Sequence, residues 1–536
     1  MAAGINMEEV KKRKDGLQVI HDIERYAAAP GTPLDPEDVA LFRWYGIYQQ
    51  RPKDGYYMLR IKVPGGELLA NQLRAIGGVA NEFGRGLADI TTRQNFQYHW
   101  IRLEDVPEIL RRLAGVGIST VGACGDITRN VVGCPVAGID ADEYLDATPE
   151  IRRVAAYFSS NPEFSNLPRK YKIAMCGCRL HCAQPDINDV GLYGAVCDVD
   201  GVSRAGYGLK VGGGLSTKPY FASDMNTFLL PEEVLEVVRA ITAIFRDSDI
   251  LRQDRSKARL KFLLNDPKIG IGGERFRAMI EERIGRPLRQ AGPFPTPHDA
   301  ETDHLGIHPQ KQPGLYYVGV GVTVGRLCGD DLLRLADIAD EFSTASCVRN
   351  TNKQNFIITH IPEERLPRLR EALAKAGFDD SPSVFKRSVV SCTGIEFCNL
   401  AITETKELGR RVAGELEQLF PGASKQVRIH FSGCPNNCGQ NAIADIGLRG
   451  GLTKVAGEMV QAFDILLGGT TGGNRAFAET VSKKIPATHV TAAIANLYRA
   501  FLAWSKNGET FHEFVGAHSA EQLDAVTREG LPGKDG

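Results

Sequence analysis

Apolar positions along this chain fall into the same pattern twice, in residues 55–115 and again in 314–376. Each stretch predicts an aromatic-led strand, a helix ending in Glu-Phe, a short Thr-x-x-Gln-Asn-Phe segment and a second helix. In the first copy Leu69, Leu73, Ile76, Ala80 and Phe83 recur at three- and four-residue steps, which is one apolar stripe on a helix. Leu332, Leu335, Ala339 and Phe342 repeat it. A β-α-β-β-α-like unit cannot bury both faces of its sheet alone, so the two copies are expected to pair in one pseudo-symmetric sheet.

The repetition continues beyond these units. Residues 172–192 align without a gap on 428–448, which places Cys178 on Cys434 and Cys182 on Cys438. Gly212-Gly213-Gly214 and Gly468-Gly469 occupy matching places. The run from Gly292 to His298 alternates Pro with other residues, breaks helix and strand alike, and reads as the linker between halves. A duplicated chain that divides labour between its copies should carry its site at their junction.

Composition narrows the class. A chain of 536 residues should form several domains, and a net charge of -1 gives no global attraction to nucleic acid or membrane. No apolar run approaches a membrane span, and the charged first residues do not read as a secretory signal. Twelve cysteines then imply a reducing compartment, with bound or buried thiols in place of disulfides. A cytoplasmic monomer is expected. Neither GxGxxG nor GxxxxGK[ST] is present, so reducing equivalents should arrive from a separate protein.

Four cysteines concentrate the chemistry. Cys392 and Cys398 form a C-x5-C pair, and Cys434 and Cys438 a C-x3-C pair. Converging thiolates hold zinc or an iron–sulfur cluster, and the five-residue gap is wider than the usual zinc knuckle. The spacing favours a [4Fe–4S] cube, with zinc and free thiols as the alternatives. The first half adds cations: Arg93 in a Thr-Thr-Arg-Gln segment, Arg129, and Arg169, Lys170 and Lys172 in Pro-Arg-Lys-Tyr-Lys. Singly these read as solvated charges; together they could fill a pocket for a small anion. Lys353 is the pseudo-equivalent of Arg93.

These motifs carry a resemblance over nearly the whole chain. Thr91-Thr-Arg-Gln94, the stretch Arg129–Gly138, Asn166-Leu-Pro-Arg-Lys170 and the two cysteine pairs, in this order, resemble the siroheme and [4Fe–4S] nitrite/sulfite reductase family, and most closely its ferredoxin-dependent assimilatory nitrite reductases. The resemblance implies an α+β fold: a pseudo-two-fold duplicated chain with ferredoxin-like half-units paired in one domain and two siroheme-binding α/β units. It implies an N-terminal arm (1–52), ferredoxin-like halves at 53–125 and 299–380, and siroheme-binding halves at 126–298 and 381–536, the last with the cluster. Cys392, Cys398, Cys434 and Cys438 would hold the cube, with the Cys438 sulfur bridging to siroheme. Arg93, Arg129, Lys170 and Lys172 would face the substrate, while Arg169, Arg259 and Lys261 would bind siroheme carboxylates.

The implied reaction is six-electron reduction of nitrite to ammonium, with electrons from reduced ferredoxin. Sulfite reduction to sulfide with the same cofactors is the alternative, since Lys172 adds a charge that suits sulfite. An oxygen-dependent precorrin-3B synthase shares the scaffold but needs no such cation set. Cys176, Cys178 and Cys182 read as small buried hydrophobes, because the first half lacks a C-x5-C pair.

Overall fold

The computed structural model describes residues 5–296 and 303–532. The linker reading therefore holds structural content only for 292–296; residues 297 and 298 lie outside the described residues. The fold is α+β and internally duplicated, with four five-stranded sheets, two in each half. In the first ferredoxin-like unit, strands Tyr56–Arg60, Phe96–Arg102 and Leu87–Ile90 pair antiparallel beneath helices Ala70–Phe83 and Val106–Ala114. In the second, Leu315–Val320, Phe356–Pro362 and Cys347–Asn350 do the same beneath Gly329–Phe342 and Leu366–Lys375.

The two units build separate sheets, not the single one expected from the repeat. They are interlocked by exchange. The short strand Arg326–Cys328 of the second unit completes the first sheet against Leu87–Ile90, and Glu67–Leu69 of the first completes the second sheet against Cys347–Asn350. This exchange explains the one misplaced member of the helix stripe. Leu69 ends the exchanged strand and is exposed, and the helix begins after it with Leu73, Ile76 and Ala80 buried. Helices Ala70–Phe83 and Gly329–Phe342 cross where both backbones are bare. A Cβ on Gly77 would lie 2.8 Å from the Gly329 carbonyl oxygen, so only glycine permits this approach. Arg74 reaches across to Asp337 and Asp340 at 2.8 and 2.6 Å.

Behind these units stand two α/β units. Each has a parallel trio of strands continued by an antiparallel hairpin: Val132–Gly133, Ile173–Cys176 and Val190–Val199 in the first, Val389–Ser391, Ile429–Ser432 and Ile446–Val455 in the second. Ile173–Cys176 and Ile429–Ser432, each with a parallel neighbour on both sides, are buried throughout their length. Helices Val234–Arg246 and Gly272–Ile284 cover one sheet, and Lys406–Leu419 with Val490–Trp504 cover the other. No helix among the described residues is long and apolar enough to cross a membrane.

Candidate active site

The Thr-x-x-Gln-Asn segments are tight turns, and their residue types follow from what the turn must satisfy. In the first copy Thr91 N–H donates to the Asn95 carbonyl (2.9 Å), while the Thr91 hydroxyl accepts from the amides of Arg93 and Asn95 (both 3.2 Å). Gln94 stands at φ 59 and Gln354, its counterpart, at φ 64. Each glutamine then ties its ferredoxin-like unit to an α/β unit. The Gln94 side-chain oxygen accepts from Gly133 N–H, and that of Gln354 from Ser391 N–H, both at 2.9 Å. Gly133 and Ser391 immediately precede Cys134 and Cys392. The motif therefore positions the cysteine strands and, through the turn, the side chain of Arg93 or Lys353.

The pseudo-dyad runs between Gln184 and Gln440, whose amides donate to one another's oxygens at 3.2 and 2.8 Å. At this junction lies a cleft with about 1500 Å³ of atom-free space, counting its mouth. Its floor and one wall carry Cys392, Cys398, Cys434 and Cys438; the facing wall carries Arg93, Arg129, Lys170, Lys172 and Arg259. The C-x5-C and C-x3-C pairs and the distal cations thus share one cavity.

The cations differ in what they are free to do. Arg93 is locked: its guanidinium donates to Asn188 Oδ1 (2.8 Å) and to the carbonyls of Asn130 and Ile173. Burial, and then the Arg129 cation, weaken its hold on its proton. The Arg129 guanidinium is held by the Gly125 and Ala123 carbonyls of its own loop. Arg259 is paired with buried Asp189 at 2.8 Å. Among the described residues neither the Lys170 nor the Lys172 ammonium has a protein acceptor within hydrogen-bond reach, and both line the cleft. Burial, followed by repulsion from Arg259, brings Lys170 down to about 8. Lys172 is lowered further, by burial first and then by Arg93, Lys170 and Arg259.

Two of the cations expected at the cofactor lie elsewhere. Arg169 turns from the cleft towards the buried carboxylate of Asp126 (3.4 Å), which also pairs with Lys11 and Arg255. Lys261 donates to the carbonyls of Leu215 (2.7 Å) and Lys218 and so fastens the turn after Gly212-Gly213-Gly214; burial lowers it to about 7. Both are consumed by buried acceptors that a linear sequence does not reveal. Conversely, Arg60 and Lys406 enter the cleft beside the cysteines without a sequence signal. Arg60 donates to Gln97 Oε1 (2.9 Å), and Lys406 approaches buried Asp89 (3.6 Å). Only strand alternation, which puts Arg60 on the face opposite Leu59, could have pointed to one of them.

The four cysteines suit a cube better than a single ion. They surround the cleft, but no three of their sulfurs fall within the 4.8 Å mutual spacing that a single ion would draw them to. Burial pushes the Cys392 thiol up to about 12, and it raises Cys398 and Cys434 as well. The Cys392 sulfur already accepts an amide hydrogen bond from Gly433 at 3.2 Å, the kind of contact that stabilises a ligating thiolate. A cationic cofactor core would release these protons. The donor set, the cleft's size and the unpaired ammonium groups opposite fit a cluster beside an anionic tetrapyrrole.

Comparison with known proteins agrees. The model of the nitrite and sulphite reductase 4Fe-4S domain matches residues 124–288 and 384–531, and that of the nitrite/sulfite reductase ferredoxin-like half domain matches 48–116 and 308–376. The chain belongs to this family, and its cofactors are a [4Fe–4S] cluster and siroheme. It is 38% identical to the assimilatory ferredoxin-dependent nitrite reductase of Haloferax mediterranei, over 97% of this chain and 92% of that protein. It is 37% identical to sulfite reductase [ferredoxin] 2 of Mycolicibacterium paratuberculosis, over 95% and 94%. The solved structure of the Mycobacterium tuberculosis NirA protein superposes with a TM-score of 0.91 at 36% identity, covering 97% of both chains. The enzyme is an oxidoreductase of the siroheme nitrite or sulfite reductase type.

Proposed function

We propose that this enzyme reduces nitrite to ammonium with electrons from reduced ferredoxin. The observation that carries the choice of substrate is the charge state of the cation wall. By count, Arg93, Arg129, Lys170 and Lys172 suit a dianion. Burial and mutual repulsion instead weaken the hold of both lysines on their protons, lowering Lys172 and bringing Lys170 down to about 8. A cation wall that resists full charging suits a monoanion such as nitrite better than a dianion.

The cofactors, when bound, would supply electrons one at a time to the oxyanion. Cys392, Cys398, Cys434 and Cys438 would hold the cluster, and Cys438 would couple it to siroheme. The rest falls to the protein's own groups. Arg93 and Arg129, fixed by backbone carbonyls, orient the oxyanion without reorganising. Lys170 and Lys172 hold protons on freely placed ammonium groups, and nitrite reduction consumes eight protons along with its six electrons. A donor lowered towards neutral pH gives up its proton more readily than an ordinary lysine. Arg259 would meet cofactor carboxylates from its place beside Asp189.

The test is steady-state reduction of nitrite and of sulfite by the holoenzyme, driven by reduced methyl viologen and then by reduced ferredoxin. The expected result is ammonium formed faster than sulfide with both donors. Lys172→Asn should raise the nitrite-over-sulfite ratio of kcat/KM by about tenfold, because it removes the group whose charged form favours a dianion. Faster sulfide formation by the unaltered enzyme would assign it to sulfite.

A further inference from the structure

The first α/β unit contains a second cysteine site that its sequence conceals. Cys134 N–H donates to the Met175 carbonyl at 3.1 Å, and Cys392 N–H donates to the Phe431 carbonyl at 3.1 Å. Met175 and Phe431 are themselves equivalent in the repeat, so Cys134 occupies the ladder position of Cys392. With Cys178 matching Cys434 and Cys182 matching Cys438, the first half retains three of the four cluster positions. The fourth is lost. Asp140 follows Cys134 by the interval that separates Cys398 from Cys392, and both residues donate their amides four residues back, at 3.0 Å.

The three retained thiols have been drawn together. The sulfurs of Cys134, Cys178 and Cys182 lie within 4.8 Å of one another, all in the core, with exposures of 2, 1 and 4%. The Cys134 and Cys178 sulfurs stand 3.8 Å apart. That is far beyond a disulfide bond of about 2.05 Å. It matches the edge of a tetrahedron whose metal–sulfur bonds are about 2.3 Å. A [4Fe–4S] cube, whose four irons alternate with sulfides at its corners, holds its cysteine sulfurs farther apart than one ion does. His304 stands beside one of the three: its Nε2 lies 3.2 Å from the Cys182 sulfur, though not within 4.8 Å of all three sulfurs, and its Nδ1 lies 3.4 Å from the Tyr317 hydroxyl. A ring whose second nitrogen meets a fixed partner is the usual setting of a ligating histidine.

We propose that the converging thiols of Cys134, Cys178 and Cys182 bind one structural zinc ion, with His304, beside Cys182, moving in as the fourth ligand. The four ligands come from three separated segments. Cys134 follows the edge strand of the first α/β sheet, and Cys178 and Cys182 lie in the loop after the central strand Ile173–Cys176. His304 follows the connection into the second half. The Cys182 carbonyl accepts from Asn352 Nδ2 (2.6 Å) of the second Thr-x-x-Gln-Asn turn, so the metal loop touches the second half directly. Gly177 fits because a Cβ there would meet the Leu145 carbonyl oxygen at 1.8 Å, which keeps the Cys176–Cys178 backbone pressed into the unit. The ion clamps the start of the second half onto the first, next to the cleft but outside it. The site is independent of which oxyanion the enzyme reduces.

The experiment is elemental analysis of chelator-dialysed holoenzyme, with the cofactor absorption of the same sample, for the unaltered protein, Cys178→Ser and His304→Ala. Zinc should be present at one per chain in the unaltered protein and fall at least tenfold in Cys178→Ser, with siroheme and cluster absorption per chain retained. His304→Ala should lose zinc to dialysis faster than the unaltered protein does. Unaltered holoenzyme that holds no zinc after dialysis, or after zinc is supplied during expression, overturns the proposal even if neither variant folds. So does zinc retained in Cys178→Ser, or additional iron there in place of zinc.

Discussion

Two copies of one α/β unit meet at the cleft, and their difference teaches how a duplicated scaffold divides labour. In the second copy Arg428 closes on its own Asp445, through both backbone and guanidinium, at 2.8 Å. In the first, Lys172 occupies the position of Arg428 and donates only its backbone amide to Asp189 (2.9 Å), because Arg259, just ahead of the helix Leu260–Asn265, takes that carboxylate. The same ladder thus leaves an ammonium free in one half and none in the other. The cysteines invert the relation. Those of the second half open onto the cleft, while their first-half equivalents close into the core. In the proposed function, one copy would supply the electron-carrying ligands, and the other protons and oxyanion binding.

The largest effect on this division should follow from Cys438→Ser. Nitrite reduction should fall to background if Cys438 couples the two centres as proposed, while zinc-site and first-half integrity persist. Measuring ammonium formation alongside thermal unfolding separates loss of coupling from loss of fold. Full activity in that variant would place the electron path elsewhere.

Lys170 comes next. Its ammonium is a proton donor only while protonated, and burial has lowered its pKa from 10.5 to about 8. Donor competence is therefore complete well below pH 8 and lost as pH rises through it. The expected outcome for Lys170→Met is a kcat lowered about 10²-fold together with disappearance of that alkaline limb. A pH profile unchanged by the substitution would remove Lys170 from proton delivery.

The smallest effect concerns the joint between halves. Gly77→Ala should cost about 1–3 kcal/mol, because its methyl would press on the Gly329 carbonyl at the helix crossing. Gly78, one residue on, has nothing within 4 Å of an added Cβ, and Gly78→Ala should gain about 0.5–1 kcal/mol from helix propensity. Denaturant unfolding of the pair reads both signs. Equal effects would mean that the crossing does not hold the halves together.

Much of this was legible in the sequence because it depends on local rules. The helix stripes, the Thr-x-x-Gln-Asn turns and the gapless alignment of 172–192 on 428–448 each encode geometry within a few residues. What escaped depends on distant partners. The strand exchange that exposes Leu69 needs Cys347–Asn350 as a neighbour. Arg169 and Lys261 were placed at the cofactor by motif, yet Asp126 and the Leu215 carbonyl claim them. Cys134 could have been matched to Cys392 only through the register of parallel strands, since the residues between the cysteines of each half share no spacing.

The most direct test is acid-labile sulfide per chain in two purified variants, Cys398→Ser and Cys178→Ser. The division of labour described here predicts that Cys398→Ser loses its sulfide while Cys178→Ser keeps the full amount of the unaltered protein. Loss of sulfide in Cys178→Ser with retention in Cys398→Ser would put the cluster in the first half and contradict the account.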